Sequence, residues 1–368
     1  MASIIILSEG LDPQMGGPSN SIPNFADSLT KRNIPVIIYC PAKKYKMSHG
    51  IETVKIITYK NFFDFIKKLA KQLLNKQKER KYVHLNYIWR LEAFLVLFFS
   101  KTHCFTLIFN ARGMLMKKAI SSGRKIKSPI FYILLKPLLR FSDSVFQASS
   151  NIELEELKTF FPTKKIFLNV LGYERNSIDY KRKDATEKFY NKELVIISRI
   201  DKYKRIDQII RNFIEVGAYN QGWKLSIYGA EKLSNYEELI DPHKIDNIST
   251  YNIKLGLFIN EKEKIEILNK STFFISASNT ESFGLTIAES LDSSTPVIIR
   301  NNTLWEDYIV MGCGYSFNDS ELKNILESLK SLSFKDYDNM IEKIESSFQP
   351  ISWEEHTSTF LENISYQK

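Results

Sequence analysis

Apolar and polar positions follow one another in short blocks along this 368-residue chain, and the spacing within each block predicts an element. Ser3 to Leu7 is an apolar run too short for a helix, so it predicts a buried strand. After the loop Glu9 to Gly17, Pro18 to Leu29 carries Ile22, Phe25, Ala26 and Leu29 at helical spacing, with Pro18 suited to a first helical position. Pro35 to Cys40 reads as a second buried strand, which completes a β-loop-α-β unit and starts a parallel sheet. Further strands are expected at Tyr82 to Leu85, Cys104 to Phe109 and Ser144 to Ala148, with helices between them at Asn61 to Leu74 and Pro129 to Leu139. The pattern restarts after a turn-like connection at Gly172 to Asn176. Strands are then predicted at Leu194 to Ser198, Lys224 to Tyr228, Phe273 to Ala277 and Val297 to Arg300, and helices at Ile206 to Phe213 and Leu285 to Leu291. A last helix, Trp353 to Ile364, is expected to pack back on the first half.

The alternation of strand and helix, repeated twice, predicts an α/β protein of two Rossmann-like domains. The first takes residues 1–170 with the C-terminal helix of about 352–368, and the second takes residues 171–351. Parallel sheets facing across a cleft would bring ligands to the carboxyl ends of their strands. Hydrophobic residues at 43% and charged ones at 25% are an ordinary globular balance. The three cysteines, Cys40, Cys104 and Cys313, are widely spaced and form no CxxC, which favours a reducing compartment. Met1 to Ser8 lacks a basic leader region, and no apolar run reaches the ~20 residues a bilayer span needs, so a cytoplasmic location is expected.

Charge changes this picture, because the net +9 is unevenly shared. Residues 1–170 hold 27 Lys and Arg against 11 Asp and Glu, whereas residues 171–368 hold 24 against 31. A basic half of that kind suits nucleic acid, anionic lipid or a phosphorylated substrate.

Three segments carry candidate chemistry. In the first, Glu281-Ser282-Phe283-Gly284-Leu285-Thr286-Ile287-Ala288-Glu289 joins a strand to a helix. Gly284 permits close backbone approach, and the amides at the helix start make an anion site with one carboxylate on either side. Glu289, inside the helix, suits the paired hydroxyls of a ribose, and Glu281 those of a sugar beyond the phosphates. The alternative is two solvated helix-end charges. In the second, Arg199 stands at a strand's carboxyl end and Lys204 at the entry of the next helix, so both cations can reach one diphosphate. No divalent metal would then be needed. The chain has no His/Cys cluster at ligand spacing, and the alternative is a basic loop of fortuitous placement. The third, Gly16-Gly17-Pro18-Ser19, follows the first strand, where two glycines serve either phosphate approach or a tight turn.

Together these segments resemble the retaining GT-B glycosyltransferases of family 4, over nearly the whole chain. The Glu281-to-Glu289 segment resembles that family's two-glutamate signature, with Thr295-Pro296-Val297-Ile298 after it, and Arg199 and Lys204 resemble its diphosphate-binding pair. The resemblance implies that Glu289 holds the ribose, that Glu281 and the amides of Phe283, Gly284 and Leu285 hold the transferred sugar, and that Gly17, beside Gly16, faces the donor phosphates. A narrower resemblance, to bacterial capsule and O-antigen enzymes, rests on Val83-His84-Leu85-Asn86 with Trp89, on Asn110-Ala111-Arg112-Gly113-Met114-Leu115, on Trp305 with Gly312-Cys313-Gly314-Tyr315, and on Ser352-Trp353-Glu354. Arg205 and Ser294 depart from it, each standing where the family usually has glycine. Asn110 falls near a position where many relatives place an active-site histidine, so His84 and Arg112 are candidates for polar work on the acceptor. A lone His84 on a strand is otherwise a satisfied core histidine.

The implied reaction moves a sugar from a nucleotide-diphosphate sugar to a glycan or lipid-linked saccharide acceptor, with retention. It needs no cofactor beyond that co-substrate, and no nucleophile is assigned. The rival reading keeps the fold as a non-catalytic, nucleotide-sugar-binding or scaffolding subunit of a polysaccharide assembly complex. Nucleic acid is not an expected partner, because no recognised motif for it occurs. Phe62, Phe63, Phe65, Ile66, Leu69, Leu73 and Leu74 are interleaved with Lys67, Lys68, Lys71, Lys76 and Lys78, and Ala119 to Phe141 mixes Arg124, Lys125, Lys127, Lys136 and Arg140 with apolar residues. Both stretches suit interfacial helices on an anionic membrane surface, here the inner face of the cytoplasmic membrane. They equally suit Lys-rich faces over an ordinary core.

Overall fold

The protein is described by a computed structural model covering residues 3–46, 54–74, 80–102, 104–122, 127–175, 184–230, 236, 248–279, 281, 283–301 and 303–364. The chain divides into two compact units, Met1–Glu174 with Ile351–Lys368, and Arg175–Pro350. The first therefore runs on past residue 170 into the stretch Gly172 to Asn176, of which Asn176 lies outside the described residues.

Unit 1 is built on seven parallel strands: β1 (Ser3–Leu7), β2 (Val36–Pro41), β3 (Lys55–Tyr59), β4 (Lys81–Leu85), β5 (Thr106–Asn110), β6 (Ser144–Ala148) and β7 (Ile166–Leu168), in the order β3-β2-β1-β4-β5-β6-β7. Its helices are α1 (Gly17–Lys31), α2 (Phe62–Leu73), α3 (Leu91–Phe99), α4 (Lys117–Ser122), α5 (Lys127–Ile130), α6 (Lys136–Phe141) and α7 (Asn151–Phe160). The expected helix Pro129 to Leu139 is interrupted by a π-helical turn, Phe131–Leu135, whose wider ring leaves Tyr132, Ile133 and Leu134 outside while Phe131 and Leu135 are buried. The sequence reading missed β3 and β7. Only Tyr59 of β3 is buried, and β7, though wholly apolar, is three residues long, so neither edge strand carries an apolar run long enough to read as a buried strand.

Strand order decides which helices share a face. From β3 through β7 the chain advances one way across the sheet, so right-handed crossovers put α2, α3, α5 to α6 and α7 on one side. The step from β1 to β2 runs the other way and puts α1 on the opposite side.

Unit 2 repeats the plan with six parallel strands: β8 (Glu193–Ile197), β9 (Lys224–Ala230), β10 (Ile253–Leu257), β11 (Phe273–Ser276), β12 (Val297–Arg300) and β13 (Gly314–Phe317), ordered β10-β9-β8-β11-β12-β13. Among the described residues its helices are α8 (Ala185–Asn191), α9 (Ile206–Glu215), α10 (Glu261–Lys270), α11 (Leu285–Asp292), α12 (Glu306–Val310), α13 (Leu322–Ser328) and α14 (Phe334–Ser347). Edge strands β10 and β13 again escaped the sequence reading, since half-exposed positions break their apolar runs.

The last helix, α15 (Trp353–Asn363), belongs to unit 1 and lies on α1. A capping box of Ser352 and Glu355 starts it. Phe25 of α1 packs edge-on against Phe360 at 4.9 Å and His356 at 5.0 Å, and Ser28 donates to the Trp353 carbonyl at 3.0 Å. Gly172 lets the chain pass this close, because a Cβ there would meet Trp353 at 2.8 Å.

Candidate functional site

In a doubly wound sheet the strand order reverses at one place, and the loops leaving the two strands there splay apart to leave a ligand crevice at their carboxyl ends. In unit 2 the reversal falls between β8 and β11. The two strongest sequence segments leave these two strands.

Beyond β8, Arg199 is exposed. Asp201 then accepts from the Tyr203 amide at 3.1 Å and caps the short turn Lys202–Lys204, which ends at Arg205. Beyond β11, the Asn279 amide donates to the Tyr203 carbonyl at 2.9 Å, tying the two loops together. Lys204 Nζ reaches Glu281 Oε1 at 2.5 Å, with both side chains about one-fifth exposed. Thus the cation from one motif and the carboxylate from the other form an ion pair across the switch.

Gly284 caps α11 in the left-handed region, at φ 80°, where a Cβ would stand 2.8 Å from Ile287 Cδ1. Phe283 packs against the Trp305 ring at 5.1 Å and accepts from the Trp305 indole through its carbonyl, which fixes the loop before the helix. The amides of Leu285 and Thr286 open α11 and donate to no described residue, as expected of a helix N-terminus. Ser282 lies outside the described residues.

Glu289, one turn into α11, is 2% exposed. Its Oε1 accepts from Lys264 Nζ of α10 at 2.6 Å, while its Oε2 is buried with no partner among the described residues. Burial pushes its carboxyl up to about 7, against the pull of Lys264 and with further upward pressure from Glu261 and Asp292. Burial works against the Lys264 ammonium, but Glu289 and Glu261 outweigh it and hold its pKa above the ordinary lysine value. The ammonium is therefore secure, and the carboxyl is the group of this pair that titrates. Sequence reasoning missed Lys264, because nothing local ties a lysine in one helix to a glutamate 25 residues later in another.

Arg205 and Ser294, the two departures from the expected glycines, both sit at φ 49°. Their backbone explains the glycine preference, and each pays the left-handed penalty of an L-residue, ~1 kcal/mol or more.

In unit 1 the reversal lies between β1 and β4. Gly16 (φ 85°) caps α1 and receives a hydrogen bond from Ser19 Oγ at 2.6 Å on its carbonyl. Gly17 is exposed, with open space where a side chain would project. Arg112, beyond β5, is half-buried and donates to Asn86 Oδ1 at 2.9 Å and to Ser21 Oγ at 2.8 Å. Burial lowers its pKa to about 10, with Glu153 pulling the other way. Glu153, buried in α7, accepts the amides of Gly113 and Ser149 at 2.7 and 2.8 Å, and burial raises its carboxyl. This network of Ser21, Asn86, Arg112 and Glu153 joins the carboxyl ends of β4, β5 and β6 to α1.

His84 is not at this surface. It is 1% exposed within β4, bonded to Gln147 at 3.0 Å and to Asn86 at 3.3 Å, and packed on Phe25 and Phe360. Burial, with Arg112 and His356 nearby, lowers its pKa to about 3. The ring is a neutral core group whose two nitrogens are both engaged, so the acceptor-side expectation for it gives way to a packing role against α15. A pocket of about 360 Å³ lined by Arg80, Cys104 and Asp143 lies at the amino ends of β4 to β6, the end away from these loops.

Residues 178–346 match the family described as Glycosyl transferases group 1. The alpha-monoglucosyldiacylglycerol synthase of Acholeplasma laidlawii is 30% identical over 129 residues, 34% of this chain and 31% of that protein. The chain spans less than a third of the length of the curated relatives it matches. Among solved structures, WaaG, a glycosyltransferase involved in lipopolysaccharide biosynthesis, superposes with a TM-score of 0.71 at 12% identity, covering 97% of this chain and 99% of WaaG. Alr3699/HepE of Anabaena, solved with UDP and glucose, gives 0.72 at 14% identity over all of both chains. The fold is GT-B, two Rossmann-like units with a C-terminal helix returned to the first.

Proposed function

We propose that the protein is a metal-independent, retaining glycosyltransferase of family 4. It takes a nucleotide-diphosphate sugar in unit 2 and transfers the sugar to a glycan or lipid-linked saccharide held by unit 1. The observation that carries this reading is the pair of loops at the β8/β11 switch, where Lys204 and Glu281 meet beside the start of α11, in the segment that matches the family and also holds Arg199 and Glu289. UDP and glucose in Alr3699/HepE support the donor class.

In this reading Arg199 and Lys204, with the amides opening α11, meet the charge that develops on the diphosphate as it leaves, which is the task a divalent cation would otherwise perform. Lys204 exchanges Glu281 for phosphate, and Glu281 is thereby released to the hydroxyls of the sugar. Glu289 accepts from the ribose. Arg112, fixed by Asn86 and Ser21, presents a guanidinium on the acceptor side.

Binding of nucleoside diphosphates and nucleotide sugars, screened by thermal shift and measured by calorimetry, tests the assignment. Glu289→Ala and Lys204→Ala should each weaken donor binding by on the order of tenfold or more, since each removes a charged partner. Transfer should persist in excess EDTA. Unchanged nucleotide affinity in both variants would defeat the site, and magnesium-restored loss would defeat the metal-free account.

The role in surface polysaccharide synthesis, of capsule or O-antigen type, draws on WaaG and on the lipid named in the Acholeplasma relative. Such an acceptor places the protein at the inner face of the cytoplasmic membrane. One face of unit 1 suits that position. Phe63 (79% exposed), Leu74, Leu91, Phe98, Phe99, Tyr132, Ile133, Leu134 and Phe141 (70%) all project from α2, α3 and the π-turn to α6, the layer on one side of the sheet. Exposed Lys67, Lys71, Lys101 and Arg140 stand among them, and Lys101 lies over the Phe141 ring at 5.8 Å. Phe65 and Leu69 of α2 are core, so only part of each stretch serves this role. Lys76, Lys78, Arg124, Lys125 and the Lys127 side chain lie outside the described residues. Salt-sensitive co-sedimentation with vesicles containing phosphatidylglycerol is expected, and should be lost in Phe98→Ser/Phe141→Ser. Protein that stays in the supernatant at low salt refutes the membrane role alone.

A further inference from the structure

The two glutamates of the α11 segment are each paired with a lysine, but on different terms. Glu281 meets Lys204, itself a candidate phosphate ligand at the rim of the site. Glu289 meets Lys264, which comes from another helix and has no part in the donor site as proposed. Lys264 lies in the second turn of α10, which a capping box of Asn260 and Glu263 starts firmly. From there its side chain, 14% exposed, turns inward to α11.

We propose that Lys264 is the positioning residue of the nucleotide site: it engages one oxygen of Glu289, fixes the carboxylate's rotation, and leaves the other oxygen for a ligand hydroxyl. This inference rests on the nucleotide reading above. Three observations support it. The contact is short, at 2.6 Å, and confined to Oε1. Oε2 is a buried acceptor with no partner among the described residues, an arrangement that a hydroxyl donor would complete. Lys264 also holds Glu261 Oε2 at 3.0 Å, so its ammonium stays anchored if Glu289 shifts toward a ligand.

The charges around Glu289 make Lys264 decisive. Facing it from α10 are Lys264 and Glu261, and Asp292 stands on α11 itself, 3.7 Å from Arg175. Lys188 of α8 spends its ammonium on the carbonyls of Ser293 and Ser294 and on Thr295 Oγ1, and Arg300 of β12 turns to Asp319 and Gln208. Lys264 is thus the cation that opposes burial and the two acidic neighbours. Its removal drives Glu289 toward the neutral carboxyl form, a weaker acceptor whose proton can occupy the oxygen a hydroxyl needs.

The test is calorimetric titration of the full chain with a panel of nucleoside diphosphates, uridine diphosphate first, between pH 6 and 9. Wild-type affinity should rise with pH as the Glu289 carboxylate forms. In Lys264→Met that rise should move upward by about one pH unit or more, the effect of losing an opposite charge at contact, with affinity at pH 7 reduced on the order of tenfold. Lys264→Arg, which keeps the cation, should restore the wild-type midpoint, and Glu289→Gln should bind weakly with no such rise. If no nucleoside diphosphate binds, or Glu289→Gln binds as wild type does, the site reading falls and this inference with it. If Glu289→Gln weakens binding but the midpoint in Lys264→Met stays at the wild-type value, the inference alone falls.

Discussion

Each unit buries a titratable cluster between a helix and its sheet, His84 with His356 in unit 1 and Glu289 with Lys264 in unit 2, and these two clusters are satisfied in opposite ways. In unit 1, His84 and His356 are neutral rings with both nitrogens engaged: His84 with Gln147 and Asn86, and His356 with the Val170 carbonyl at 2.8 Å and Asn169 at 3.4 Å. Phe25 and Phe360 close the cluster. In unit 2, Glu289 is paired on one oxygen and has no partner among the described residues on the other. A buried group with every valence met holds structure, because any change leaves a polar atom unpaired. A buried group with one valence unmet carries a standing cost that a ligand can relieve. The difference marks α15 as a fastening, and under the function proposed above it makes α11 the binding element.

The largest expected effect sets these two clusters against each other by pH. Burial holds His84 at about 3 and His356 at about 4, below the ordinary 6.5. Their contribution is complete above pH 6.5 and is lost as pH falls toward 4 and 3, by about 1.4 kcal/mol per pH unit for each ring that the unfolded chain protonates and the fold does not. Glu289 runs the other way. Its folded carboxyl, at about 7 against 4.5, retains a proton the unfolded chain has released, so its contribution is complete below pH 4.5 and is lost as pH rises through 7. Urea unfolding followed by hydrogen exchange in each unit should show unit 1 weakening steeply from pH 7 to pH 5. Glu289→Gln should flatten the opposing trend in unit 2. A unit 1 whose protection is constant down to pH 5 would mean that the histidines take up protons without leaving their places.

The smallest effect probes strain in unit 2. Ser294 adopts φ 49°, and among the described residues its hydroxyl makes one contact, at 3.2 Å with Glu345. Ser294→Gly should therefore stabilise by roughly 0.5–1 kcal/mol, seen as a rise of a few degrees in the melting temperature, with nucleotide affinity unchanged. A fall in melting temperature would mean that the Glu345 contact outweighs the backbone.

Much of the central sheet was legible in advance because its strands are short, continuous apolar runs between glycines and polar turns. β1 and β12 lie where the residues predict them. The edge strands β3, β10 and β13 were not, since an edge is half-solvated and its pattern is mixed, and β7 was not because its apolar run is only three residues long. The site divides along the same line. Lys204, Glu281, Gly284 and Glu289 stood out because a strand-to-helix loop with its glycine and charges is a local object.

The sequence by itself determined the α/β alternation, the two charged loops that follow β8 and β11 and the uneven charge of the halves, because all of these depend on residues near one another in the chain. Only the tertiary structure decided that Lys204 and Glu281 meet, that Lys264 takes one oxygen of Glu289 and that His84 is closed in by α15. It also brought the exposed aromatic residues of α2, α3 and α6 to one side of a sheet. Those partners lie tens to hundreds of residues apart, so strand order and crossover handedness bring them together, and no local pattern encodes either.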